Sequence, residues 1–436
     1  MSVLNKRVRL EELLRFVFEN PRSSFYRNRL EGIYENFFPL TDESWNTVPL
    51  LSRDEITGTR MWERVMVEPS AVDTVRHTYG TSGKRILITP KTSYGSYDRP
   101  YAPMRRHMCF FAAAYNEFPR SFFPKQQVWF GDVGNLDMSA RIAFEGRVES
   151  IFTTPYTAII FSEKLAQYPG MLENIRLVQL TGERCSPLQY RKIKELYPKA
   201  LVYSMFSSSE TREAVAVPCK HDMANGGSHT LEALPDVHCE IIDPSTSKVV
   251  RENDVAGEFV ITTIAPDSPF PLIRYRTGDV ARYTRRKCAC DEHERGFEIL
   301  GRWSVFPIRL VKGELTVNAV EQALSTISEM DVSYFEVHYD EEQSDRLALP
   351  RVSISILRSN RFPDETTLAD RIAKALMVFP GYTYAEGVES HIYLPLRVTF
   401  LEKAPMGPLG KPASPVVVRH VSESKEVYKK EAHSDA

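Results

Sequence analysis

Two glycines, two hydroxyls and a lysine stand within five consecutive residues in Gly80-Thr81-Ser82-Gly83-Lys84. Glycines leave no Cβ in the way, so backbone N–H groups and side-chain donors can converge there on a polyphosphate. The spacing excludes a Walker A loop, which needs four residues between its glycines and a hydroxyl after the lysine. Here only Thr81 and Ser82 intervene, and Arg85 follows. Taken alone, the run describes an ordinary turn equally well. Its partners along the chain change that reading: Phe206-Ser207-Ser208-Ser209-Glu210, Tyr275-Arg276-Thr277-Gly278-Asp279 and Gly407-Pro408-Leu409-Gly410-Lys411. Asp279 follows a Thr-Gly turn, where a carboxylate held on a fixed loop accepts from two hydroxyls at once. Lys411 lies in a Gly/Pro-rich loop, and its plain alternative is a solvated surface lysine.

In this order the runs resemble the adenylate-forming superfamily, and within it the phenylacetate–CoA ligase-like branch, over nearly the whole chain. Phe25-Tyr26-Arg27 and the stretch from Val48 to Ile56 look like the opening of that branch. Gly80 to Lys84 is similar to the family's Ser-Gly-Thr-Thr-Gly-Lys-Pro, with Tyr79 and Arg85 at the two ends where Ser and Pro are usual. Thr181-Gly182-Glu183 matches the Gly-Glu segment under the adenine, Phe206 to Glu210 aligns with Tyr-Gly-x-Thr/Ser-Glu, and Tyr275 to Asp279 matches in full. Gly301-Arg302 opens the hinge segment.

The resemblance implies activation of a carboxylic acid by ATP to an acyl-adenylate, with release of pyrophosphate, then transfer to CoA to give a thioester. It assigns Lys411 to the α-phosphate, where an anion attacking an anion needs positive charge. Thr81, Ser82, Gly83 and Lys84 hold the outer phosphates. Glu210, beside Ser209, binds Mg²⁺, a hard ion suited to carboxylate and phosphate oxygens; the plain alternative for Glu210 is a helix-capping partner. Gly182 and Glu183 lie under the adenine, Phe206 stacks on it, Asp279 takes the ribose, and Arg302 either meets the nucleotide or bridges two domains. Trp129 to Asp132 and Phe152 to Tyr156 align with acyl-pocket regions, which favours an aryl or heteroaryl acid. The branch also carries cysteines matching Cys219, Cys288 and Cys290, with His229 preferred over His221, as a structural zinc set.

Two departures concern the second half-reaction. The hinge usually reads Gly-Arg-x-Asp-Asp, whereas Trp303-Ser304-Val305-Phe306-Pro307 follows here, and Lys312-Gly313-Glu314 stands for the glycine loop of the pantetheine tunnel. The acceptor is therefore CoA, a carrier-protein thiol or an amine, and a degenerate nucleotide-binding homologue is the contrasting reading.

The elements that must position these residues alternate in type. Residues 9–19 read as an amphipathic helix on Leu10, Leu13, Leu14 and Val17. Gln127–Phe130, Leu177–Leu180 and Leu201–Met205 read as short strands, with a helix at Pro187–Leu196, so the motifs fall at strand ends of a βα sheet. Strands and turns dominate from Ala214 to Tyr283. After Gly301, strands near 306–311, 334–339, 352–357 and 398–401 with helices near 317–327 and 367–378 suggest a small βαββαβ domain. The expected fold is thus α/β: a large N-terminal adenylate-forming domain (1–301) with βα sheets and a β-rich subdomain, a small mobile α+β lid (302–421) and a disordered tail (422–436). A net charge of −2, with 42% apolar and 26% charged residues, gives no reason to expect nucleic acid or a membrane as partner. With no signal-peptide pattern in residues 1–20 and six cysteines in 436 residues, the expectation is a cytoplasmic enzyme, with a homodimer left open.

Overall fold

A computed structural model describes residues 3–72, 75–77, 87–88, 104–110, 127–182, 184–208, 210–211, 214–219, 221–222, 230–264, 268–285, 295–302, 308–310, 312–327, 334–343, 348–358, 363–404 and 417–420. The chain divides into two compact units, Met1–Leu300 and Gly301–Ala436.

The first unit contains a five-stranded parallel sheet. Its strands are β1 (Arg106–Cys109), β2 (Gln127–Phe130), β3 (Ser150–Thr153), β4 (Leu177–Leu180) and β5 (Leu201–Ser204), in the order β2-β1-β3-β4-β5. Parallel neighbours need crossovers, which helices α3 (Leu136–Glu145), α4 (Pro155–Leu165) and α5 (Pro187–Leu196) supply. Covered on both faces, β3 and β4 are buried at every position. Each of these helices starts at a side-chain cap, from Asn135, Thr154 and Ser186.

A β-rich region follows. A three-stranded sheet is built from β6 (Phe206–Ser207), β7 (Ala214–Val217) and β8 (Glu232–Ala233), and a four-stranded one from β9 (Val237–Ile242), β10 (Ala256–Thr263), β11 (Tyr275–Arg285) and β12 (Arg295–Arg302), in sequence order. Helix α1 spans Val3–Glu19, six residues longer at its start than the apolar spacing predicts, since charged residues extend a helix without marking its buried face. Leu10, Leu13, Leu14 and Val17 are buried in one cluster with Phe259, Ile261 and Tyr275 of the β-rich sheets.

The segment from Trp45 to Gly58 joins the same cluster through Trp45, Val48, Leu51 and Ile56. Arg274 ties it down. Its guanidinium is 1% exposed and pairs with Glu240, 3% exposed, at 3.2 Å. The same side chain donates to the carbonyls of Trp45, Asn46 and Val48 at 3.3, 2.9 and 2.8 Å. Arg274 adopts a left-handed φ of 48°, a conformation that disfavours a side chain and is held here by the Thr262 hydroxyl accepting from its N–H at 2.9 Å. Leu51 then docks on the sheet as an isolated bridge to Tyr275, giving its N–H to Arg274 and receiving the N–H of Arg276 at 2.9 Å each. Just beyond it, α2 (Arg53–Gly58) begins at a capping box between Ser52 and Glu55.

The second unit holds a mixed four-stranded sheet of β13 (Phe335–Gln343), β14 (Ala348–Leu357), β15 (Arg397–Leu401) and β16 (Val417–His420), in the order β15-β14-β13-β16. The central hairpin is antiparallel and both outer strands pair parallel to it. Helices α6 (Val317–Ser325), α7 (Glu365–Ala375) and α8 (Tyr384–Glu389) accompany the sheet. Helix α7 ends three residues before the periodicity predicts, because Met377–Phe379 turns back as a short hairpin through Pro380-Gly381, with Gly381 at φ 72°. The α8 turn and β16 have no counterpart in the sequence expectation. The expected tail, 422–436, lies outside the described residues.

Leaving Arg274 buried without its carboxylate should be costly, so Glu240→Ala is expected to lower stability by about 3–5 kcal/mol. A shifted midpoint in chemical denaturation checks this, and an effect under about 0.5 kcal/mol, as at ordinary surface positions, would remove Arg274 from its structural role.

Candidate active site

The described candidate residues gather around β11. Its ladder with β10 is interrupted: Phe259 faces Asp279, while the next residue, Val260, faces Arg276. Thr277 and Gly278 are the extra residues of this bulge, and bulges of this kind re-aim side chains beside functional sites. Gly278 takes φ 73°, which only glycine adopts at no steric cost. The Thr277 hydroxyl donates to the Phe259 carbonyl at 2.7 Å and accepts the Asp279 N–H at 3.0 Å. Asp279 therefore sits on a pinned loop, as the Thr-Gly turn predicts.

Phe206 reaches the same place from β6. Its ring meets Phe259 edge to face at 5.2 Å and stays only partly buried. It packs against the core on one side without being enclosed by it. Upstream, the chain leaves β4 through Thr181 and Gly182, the latter at φ 84°. The hydroxyls of Thr181 and Ser207 lie 2.6 Å apart, joining the ends of β4 and β6.

Glu210 is the most closely held of these residues. Its Oε1 accepts from Arg53 Nη1 at 3.2 Å and from the Tyr275 hydroxyl at 3.0 Å, and its Oε2 accepts from the Ser208 hydroxyl at 2.7 Å. Its own N–H donates to Ser208 Oγ at 3.2 Å. Glu210 lies in a turn, so the helix-capping role does not apply. A carboxylate offers about four acceptor positions. Among the described residues both on Oε1 are taken, and one on Oε2 is not.

Residues Thr81, Ser82, Gly83, Lys84, Glu183, Ser209, His229, Cys288, Cys290 and Lys411 lie outside the described residues, as does the side chain of Arg302, which ends β12. Cys219 is buried, and its Sγ accepts the N–H of His221 at 3.4 Å. Among the described residues no group of three or more His, Cys, Asp or Glu gathers to hold a metal ion. Two expected pocket walls read differently. Phe152 and Tyr156 are buried, Phe152 against Cys109 in the sheet, while Trp129 and Phe130 stand 36% and 49% exposed on the outer strand β2. Sequence reasoning missed Arg53 and gave Tyr275 no role of its own. Arg53 stands inside the quoted stretch from Val48 to Ile56, but nothing in that stretch announces a partner 157 residues away.

No family model matches the chain. Over 195 residues it is 31% identical to a phenylacetate–coenzyme A ligase of Thermus thermophilus, a match covering 42% of this chain and 41% of that relative. The matched segment thus spans about two fifths of the relative's length. Among solved structures, a 2-hydroxyisobutyryl-CoA ligase in the postadenylation state in complex with 2-HIB-AMP superposes with a TM-score of 0.70 at 14% identity, covering 99% of this chain and 92% of that one. The O-succinylbenzoate coenzyme A synthetase of Bacillus subtilis, in complex with ATP and magnesium, gives 0.51 at 14% identity over 79% of this chain and 69% of that one. Among the described residues no helix is long and apolar enough to cross a membrane. The chain thus has the fold of the adenylate-forming acyl- and aryl-CoA ligases, and over part of its length its sequence is similar to a phenylacetate ligase among them.

Proposed function

We propose that the chain activates a carboxylic acid with ATP and passes the acyl group to CoA. A carboxylate oxygen of the acid attacks the α-phosphorus, the bond to the bridging oxygen breaks, and pyrophosphate leaves. The thiol of CoA then loses its proton and attacks the acyl carbon, and AMP leaves. The observation that carries this reading is the convergence of Glu210, Phe206 and Asp279 on β11, within the fold of enzymes that perform both steps.

Each described residue has a part. Asp279, fixed by its bulge, receives the ribose hydroxyls, and Phe206 offers its open side to the adenine. Glu210 has one acceptor position left on Oε2, which fits monodentate ligation of a magnesium ion shared with phosphate oxygens. Magnesium, when bound there, neutralises phosphate charge. Lys411, with Thr81, Ser82, Gly83 and Lys84, is assigned to the phosphates, Ser209 beside Glu210 to the same site, Gly182 and Glu183 to the adenine, and Arg302 to the nucleotide. The acid is proposed to be aryl or heteroaryl, on the similarity to a phenylacetate ligase. A homodimer and a cytoplasmic location belong to the same proposal.

A screen of carboxylic acids for pyrophosphate release, with CoA, a carrier-protein thiol or an amine supplied in turn, identifies substrate and acceptor. Acyl-CoA is the expected product by mass analysis, and acyl transfer only to another acceptor would overturn the CoA assignment. Lys411→Ala is expected to slow adenylation by on the order of 10²- to 10³-fold with little loss of ATP affinity, as removal of a transition-state donor does. Asp279→Ala is expected to weaken ATP binding instead, since ribose contacts persist from ground to transition state. Near-normal pyrophosphate exchange in the lysine variant would sink its role. A structural zinc on Cys219, His229, Cys288 and Cys290 should appear as about one ion per chain in protein purified without chelator, lost together with thermal stability in Cys219→Ser. Protein without stoichiometric zinc would exclude it.

A further inference from the structure

We infer that Arg53 is a positioning residue that confines Glu210 to a single open acceptor position and thereby sets the site's choice of divalent cation, favouring magnesium over calcium. The inference deepens the proposed function and rests on it at one point, that Glu210 ligates the metal carried with ATP.

The argument starts from the two carboxylate oxygens. Arg53 and Tyr275 together occupy Oε1, and Ser208 takes part of Oε2. An ion arriving at Glu210 finds one lone pair on one oxygen. Magnesium is satisfied by that, because it takes octahedral ligands at about 2.0–2.1 Å, keeps most of its waters and uses one or two carboxylates together with phosphate oxygens. Calcium is larger, takes about 6–8 oxygens at about 2.3–2.6 Å, and gains from a carboxylate bound through both oxygens. That second oxygen is withheld here.

Arg53 is placed for the task by more than its own ion pair. It is the first residue of α2, held inside the capping box that Ser52 and Glu55 form around the helix start. Two residues before it, Leu51 is bonded to Arg274 and Arg276, the residues on either side of Tyr275. The two donors to Oε1 therefore arrive as one stitched unit, although they lie 157 and 65 residues from Glu210 along the chain. Arg53 and Glu210 are 26% and 12% exposed, so water competes poorly for that oxygen. An exposed pair of the same length would hold no such geometry.

The test is equilibrium binding of a non-hydrolysable ATP analogue to the full chain, titrated with magnesium or with calcium. Wild type, Arg53→Gln, Arg53→Lys and Tyr275→Phe are compared. Removing a positive charge strengthens binding of both ions alike, so the ratio of the two half-saturating concentrations isolates the geometric effect. Arg53→Gln is expected to reduce the preference for magnesium by about tenfold, the scale seen when a group orienting a metal ligand is lost. Tyr275→Phe, which opens the same oxygen, should move the ratio in the same direction, and Arg53→Lys should restore most of the preference. Metal-free analogue binding and the melting temperature verify that each variant is folded. An unchanged ratio in folded Arg53→Gln and Tyr275→Phe overturns the inference while the proposed function stands. Absence of any metal-dependent analogue binding in the wild type overturns both.

Discussion

A guanidinium buried to the last one per cent must have its charge and donors matched, since an ion left uncompensated in a protein interior costs several kcal/mol. Arg274 meets that demand with the Glu240 carboxylate on β9 and with the carbonyls of Trp45, Asn46 and Val48. Those carbonyls belong to the end of the short helix Asp42–Thr47 and to its C-cap, Val48. A few residues on, Leu51 bridges Tyr275, and α2 starts beside β11. The left-handed backbone at Arg274 is the local cost of turning the chain into that position.

The candidate site inherits its order from this constraint. Tyr275 follows Arg274 directly, and its hydroxyl and the Arg53 guanidinium meet on one oxygen of Glu210. The bulge at Thr277-Gly278 then offsets the strand so that Asp279 faces Phe259, on whose ring Phe206 packs. A carboxylate in a turn, an aromatic face on β6 and a second carboxylate on β11 are thus gathered from two sheets, the carboxylates fixed by hydrogen bonds and the ring by its contact with Phe259. Preorganisation of this sort allows polar groups to act on a charged ligand without rearranging first.

Much of this was legible beforehand in particular residues. The Thr-Gly turn before Asp279 announced a pinned carboxylate, the apolar spacing of Leu10, Leu13, Leu14 and Val17 announced the buried face of α1, and the helix read at Pro187–Leu196 is α5. Other features were not. Phe152 and Tyr156 looked like pocket walls because aromatic residues at strand ends serve core and pocket alike, and burial alone separates the two. The ends of α1 and α7 escaped because exposed charged residues and a short hairpin carry no periodic signal.

By itself, the sequence determined the alternation of strands and helices, the glycines and hydroxyls of the turns, and which residue types stand ready at strand ends. These are local properties, set by propensity, capping and spacing within a few residues. Only the tertiary structure decided that Arg53 belongs to Glu210, that Arg274 anchors a segment some 230 residues earlier, and that two donors meet on one carboxylate oxygen while Ser208 meets the other. Pairings at such separations depend on register, bulges and the burial of charge, and those are settled when the sheets pack, not when the chain is written.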